Sequence, residues 1–86
     1  MYWVYIIKSD QADRYYIGQT DNLENRLNDH RSGKSTYTSI ASDWYLVFSK
    51  GYATRTQAQR AENFIKKQKS RAFIKKVIDE EIHLVF

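Results

Sequence analysis

The 86-residue chain has no cysteine, so neither a disulfide framework nor a thiolate metal site is available to it. Its two histidines, His30 and His83, are too few for a structural zinc site, which takes about four nitrogen or sulfur ligands. The longest apolar run, Met1 to Ile7, falls far short of the ~20 residues that cross a bilayer, and no membrane role is expected. Met1-Tyr2-Trp3 offers neither the basic start nor the small-residue cleavage site of a signal peptide, so the expected compartment is the cytoplasm. At this length a single domain over residues 1–86 is expected, with a modest core. A hydrophobic content of 42% against 28% charged residues suits a folded globular chain rather than a disordered one.

Acid is scarce in one place. From Lys50 to Lys76 nine Lys or Arg residues accompany a single acid, Glu62. That span carries +8, against −1 for residues 1–49 and −3 for the residues after it. The asymmetry suits a polyanionic partner, nucleic acid before others. It also suits a solvated, lysine-rich helical face, and charge alone does not separate the two.

Tyr2 to Lys8 is rich in β-branched and aromatic residues and reads as a strand, with Tyr15 to Gln19 as its antiparallel hairpin partner. The connector lacks Asn-Gly and Asp-Gly, which leaves the turn type open. Gly18 closes the second strand and can let another group approach the backbone closely. A helix of roughly Asn22 to Ser32 follows, capped by Asp21 with Glu24 as its reciprocal partner, stopped at Gly33 and anchored by Leu23 and Leu27. Residues 33–43 form a polar loop long enough to suspect function. Trp44 to Tyr52 is a third strand. Thr54 or Thr56 then caps a helix running to about Lys69, with Ala58, Ala61 and Ile65 at helical spacing. Ser70 caps a third helix that turns Phe73, Ile74, Val77 and Ile78 inward, and Ile82 to Phe86 is a short strand or a docked tail. The predicted order is β-β-α-β-α-α, an α+β fold in which a small three-stranded antiparallel sheet is flanked by helices.

Several side chains could carry chemistry, and each has an ordinary alternative. Glu62 is one carboxylate, and Mg²⁺ is often held by one or two, with water and substrate oxygens completing the shell; it could equally pair with Lys66 one turn on. Arg26 could fork onto a phosphate or stand solvated beside Asp29. His30, near a helix C-terminus, is favoured there in its charged form by the dipole alone. Tyr5 and Tyr16 are ordinary sheet aromatics, unless a cation or a hydrogen-bond network helps one act as a base.

In order, these residues resemble the GIY-YIG nuclease family. Tyr16-Ile17-Gly18 is the second half of its motif verbatim; Trp3-Val4-Tyr5 keeps the tyrosine of the first half, with Trp for Gly and Val for Ile. Arg26 stands eight residues after the motif glycine, His30 where the family has His or Tyr one turn later, and Glu62 where it has a single metal-binding Glu. The likeness covers nearly the whole chain, including Ser32 to Thr38 and Ala61 to Lys66. It points to the small stand-alone bacterial type, similar to the nuclease module of the bacterial DNA-repair excinuclease.

The resemblance implies a divalent-metal-dependent endonuclease hydrolysing phosphodiester bonds in nucleic acid, DNA by structure rather than by sequence. Glu62 would hold Mg²⁺ or Mn²⁺. Tyr5 would take a proton from the attacking water, directly or through a neighbour, with Tyr16 holding the network. Arg26 would neutralise the phosphate, and His30 would orient the base or contact DNA. Gly18, Lys34, Tyr37, Lys66, Lys67, Lys69 and Arg71 are expected against the nucleic acid, and a protein partner could deliver the substrate. Two departures carry expectations of their own. Trp3 should change how the first strand meets its neighbour, and Gln19, where some members have Lys, should weaken activation of the tyrosine base. A non-catalytic nucleic-acid-binding module is the alternative from another class, and a small interaction domain with a basic face is a third.

Overall fold

The computed structural model describes residues 1–86. β1 (Tyr2–Ser9) and β2 (Arg14–Thr20) form the expected antiparallel hairpin, with Tyr5 opposite Gly18 and Ile7 opposite Tyr16. β3 (Tyr45–Tyr52) pairs antiparallel with the other side of β1, so the sheet order is β2-β1-β3. β2 is therefore an edge strand, and β1 is the middle one. Val4 to Ile7 are all 0% exposed, because β1 is covered on both faces. A strand buried on both sides needs a continuous apolar run rather than alternation, and the N-terminus supplies it.

The two faces hold different cores. Val4, Ile6 and Ile17 meet Ala58, Ala61 and Ile65 of α2 (Arg55–Gln68) and Val77 of α3 (Arg71–Ile78). Tyr5 and Ile7 point the other way, towards Ala41, Trp44 and the half-buried Leu23 and Leu27 of α1 (Leu23–Arg31). The small residues Ala58 and Ala61, both 0% exposed, let α2 lie close on the sheet.

Most element ends follow from side-chain caps. Thr54, not Thr56, caps α2 in a capping box with Gln57, and Ser70 caps α3 by accepting from the Phe73 N–H. α1 corrects the expected cap: Asn22 accepts from the Asn25 N–H, while Asp21 stays exposed and faces Arg55 at 4.0 Å. The Thr20 hydroxyl accepts the Asn22 N–H, and that bond sets the shift of one residue. Gly33 ends α1 at φ 79, with the Lys34 N–H on the Asp29 carbonyl and the Gly33 N–H on that of His30, a Schellman closure.

The polar loop contains a single 3-10 turn, Thr36–Thr38, and the Asp43 carboxylate at its end takes the Ser9 hydroxyl and the N–H groups of Asp10 and Gln11. The loop is thereby tied to the β1–β2 turn. The Ser9 hydroxyl, then the Gln11 N–H, hold the Asp43 carboxyl below its ordinary range.

The chain end docks rather than pairing as a strand. Leu84 is 2% exposed, and its carbonyl accepts from both the Tyr52 hydroxyl (2.7 Å) and Lys50 Nζ (2.8 Å). Gln57 Nε2 donates to the Phe86 carbonyl at 2.8 Å. Leu84→Ala is expected to lower unfolding free energy by ~2–5 kcal/mol, a large share of the ~5–15 typical of a domain. A urea titration checks it, and a midpoint unchanged from the parent would mean that the tail adds nothing to the core.

Candidate active site

Tyr5 is the centre of the arrangement. Its side chain crosses from β1 over β2 at Gly18, where a Cβ would stand 2.5 Å from the phenol oxygen. Only a residue without a side chain leaves that path open. The phenol then lies 2.8 Å from His30 Nε2, and both residues are 0% exposed. On the far side of the imidazole, His30 Nδ1 is 2.6 Å from the Thr38 hydroxyl, which donates to the Ser35 carbonyl at 3.5 Å.

One assignment of the protons lets both buried hydroxyls donate. Thr38 gives its proton to Ser35, so it accepts from His30 Nδ1–H; Nε2 is then bare and accepts the Tyr5 O–H. Burial, then the nearby Arg26 charge, pushes the imidazole down to about 4. His30 is therefore neutral at pH 7. The charged form suggested by its position near the end of α1 is overruled, because a helix terminus gives ~0.3–1 kcal/mol while the drop from 6.5 amounts to about 3 kcal/mol.

Burial, then the Tyr16 phenol, pushes Tyr5 up to about 12, against the opposing pull of Arg26. Arg26, half-buried on α1, faces both phenols. Burial works against its charge, but the interaction with Tyr5 and Tyr16 holds it above its ordinary range. Its pairing with Asp29 is loose, at 3.8 Å.

Tyr16 is the phenol that meets solvent. Its ring lies 4.9 Å from that of His30 and 6.1 Å from the exposed Tyr37, and it lines a cleft of about 380 Å³ with Tyr37 and Lys66. Glu62 approaches the same edge from α2. Its carboxylate accepts from Lys66 Nζ at 2.8 Å, and that ammonium is 5.9 Å from the Tyr16 ring. The expected pair one turn apart thus exists, and it stands at the cleft rather than away from it.

The remaining expected residues divide. Gly18 and His30 are enclosed and offer no surface to a nucleic acid; they shape the Tyr5 site. Lys34, Lys67 and Lys69 are exposed, and Arg71 is held at 2.7 Å by Asp13 from the turn before β2. Thr38, Ser35 and Trp44 were not singled out by the sequence. The Trp44 indole N–H donates to the Thr38 carbonyl at 2.8 Å and so holds the turn that orients His30. The length of the loop was the one signal that could have found them.

Trp3 pairs regularly with Thr20 on one side and Gly51 on the other, and a Cβ at Gly51 would meet the Met1 side chain first and then the indole, at 3.2 Å. Gln19 lies half-buried with Oε1 free of any hydrogen-bond partner. No three His, Cys, Asp or Glu side chains gather to hold a metal. The donors at this edge are oxygens, the Glu62 carboxylate first. A hard divalent cation that takes most of its shell from water and substrate fits such a set. Thiolate- or imidazole-seeking metals do not.

Residues 1–76 match the GIY-YIG catalytic domain, and the chain belongs to that family. It is 30% identical over 67 residues to the UPF0213 protein YazA of Bacillus subtilis, covering 77% of this chain and 67% of that protein. It is 32% identical over 68 residues to a UPF0213 protein of Streptococcus pneumoniae, covering 78% and 68%. With the UPF0213 protein CPE1444 of Clostridium perfringens the identity is 35% over 86 residues, covering 94% and 91%. No solved structure matches the chain.

The His30 geometry gives a signed pH effect. A folded value near 4 lies below the unfolded 6.5, so between those pH values the unfolded chain binds the extra proton. Stability is full above 6.5 and is expected to fall by up to about 3 kcal/mol as pH drops towards 4. Thermal melts across that window should show the slope in the parent and lose it in His30→Gln. An equal slope in both would assign it to other groups.

Proposed function

We propose that this protein is a divalent-metal-dependent endonuclease that hydrolyses phosphodiester bonds in nucleic acid, with DNA recognised by its structure rather than its sequence. One observation carries the reading. The only acid of the basic span, Glu62, stands through Lys66 at the same cleft as Tyr16, beside the Tyr5–His30 pair and Arg26. Family membership supports the same chemistry.

Glu62 is the residue that would hold Mg²⁺ or Mn²⁺, which when bound supplies positive charge to the phosphate and its leaving oxygen. The roles of the protein's own groups follow from burial. Tyr5 is enclosed, which closes the direct route from water to its phenol. Tyr16 lines the cleft and is the phenol that meets the attacking water. Behind it, Tyr5 donates to neutral His30, and Arg26 stabilises negative charge on either phenol. The exposed lysines of α2 and Lys34 contact the backbone without reading sequence.

Purified protein incubated with branched, single-stranded and duplex substrates, with and without Mg²⁺ or Mn²⁺, tests the activity; no cleavage of any substrate with either metal would remove it. Glu62→Gln is expected to abolish cleavage while metal-free binding stays equal or tightens, since a negative charge beside the phosphate is gone. Retained cleavage would reduce Glu62 to the partner of Lys66. Tyr16→Phe is expected to slow single-turnover cleavage by ~10²–10⁴-fold, the range of general-base assistance. Tyr5→Phe should slow it as well and also lower the melting temperature, because His30 Nε2 loses its donor. A full rate in Tyr16→Phe would return the base to Tyr5.

A further inference from the structure

A larger cleft opens beside the one at Tyr16. Between β2 and the corner where α2 meets α3 lies a cavity of about 460 Å³, within the ~300–1,000 Å³ usual for ligand sites. Its floor is apolar: the Tyr15 ring with Ile17, Ile65 and Ile74. Its rim carries Arg14, Lys66, Lys69 and Arg71 against one acid, Asp13. Tyr15, Ile17 and Lys66 line the Tyr16 cleft as well, so one cavity continues into the other.

Rim and floor make different demands on a ligand. Backbone phosphates of an intact duplex need only the cations, and its bases, stacked and paired, cannot cover the half-buried Tyr15 ring and Ile74. A nucleotide drawn out of the stack has a flat apolar base and a phosphate on either side, which suits both. We propose that this cavity receives one unstacked nucleotide of the substrate strand, its base against Tyr15 and Ile74 and its phosphates on Arg14, Lys69 and Arg71. The proposal rests on the nucleic-acid reading of the neighbouring site and specifies its substrate. Cleavage falls beside an unpaired position, where extrusion of a base costs least.

The rim is prearranged for this. Asp13, at φ 51, holds Arg71 Nη2 at 2.7 Å, and the guanidinium lies over the Tyr15 ring at 5.2 Å, with Lys8 at 5.7 Å from the same ring. An arginine stacked on an aromatic ring makes a platform on which a base can also stack. Asp13 is the one rim group that repels a phosphate.

The test is binding in EDTA, where no cleavage occurs, to a duplex with one bulged nucleotide and to the same duplex without it. The bulged duplex is expected to bind about tenfold more tightly, the size of one base–aromatic stack. Arg14→Ala should weaken the bulged complex and lower its salt slope by ~0.9, one phosphate contact. Asp13→Asn, which keeps a residue tolerant of positive φ, should tighten the bulged complex, a gain that misfolding cannot produce. Equal affinity for the two duplexes, or parental binding in both variants, overturns the cavity and leaves the nuclease reading intact. Absence of binding to either duplex at low salt overturns both.

Discussion

A buried phenol that donates to a buried imidazole is the constraint on which the rest of this structure turns. Left alone, either group would carry the cost of a polar atom without a partner, ~1–3 kcal/mol each. Joined at 2.8 Å, they satisfy one another, and Thr38 satisfies the remaining imidazole nitrogen. The three partners come from β1, α1 and the 3-10 turn, so no one of those elements can shift without breaking the line. Gly18 adds the hairpin register to this set, since a slip by one residue would put a side chain of β2 under the Tyr5 ring in place of bare backbone. A network of this kind favours one arrangement strongly, because a half-satisfied version is worse than none.

The same burial divides the two tyrosines. Tyr5, closed in, is pushed up to about 12, while its acceptor His30 is pushed down to about 4. Proton transfer between them is therefore strongly uphill at rest, even though the positive charge of Arg26 already pulls against it. Arg26 faces both phenols from α1. Environments that force titratable neighbours apart are a common basis for dividing roles between them. Here Tyr16 keeps the solvent and Tyr5 keeps the hydrogen bond.

How much of this was legible in the sequence depends on whether a residue's partner lies within the same element. The strands and helices were, because apolar spacing and the Ser, Thr and Gly caps act locally: Thr54, Ser70 and Gly33 all sit where local chemistry puts them. The cap at Asn22 rather than Asp21 was not, since a bond from its own N–H to Thr20 decides between two adjacent good cappers. The tail's docking is decided by Tyr52 and Lys50, more than thirty residues away, which both donate to its Leu84 carbonyl. Tyr5, Tyr16, Arg26, His30 and Glu62 were legible as a constellation through the family likeness. The state of His30 was not, because the helix dipole is readable from position while burial by β1 and the loop is not. Glu62 shows how two readings can both hold: its pairing with Lys66 is an ordinary helical pair, and Lys66 lines the cleft.

Trp3 makes the last point, about where a missing glycine goes. An indole at that position needs space on a strand flanked on both sides, and β1 has neighbours at Thr20 and Gly51. On β2 its partner is Thr20, two residues from the Gly18 that admits Tyr5. On β3 its partner is Gly51, where a Cβ would meet the Met1 side chain first and the indole at 3.2 Å. The two glycines serve the same middle strand from opposite sides, one beneath a tyrosine that reaches towards the site and one beside a tryptophan that does not. Gly51 thus leaves room on the β3 side for the Met1 and Trp3 side chains, while the Tyr5–Gly18 crossing lies on the β2 side.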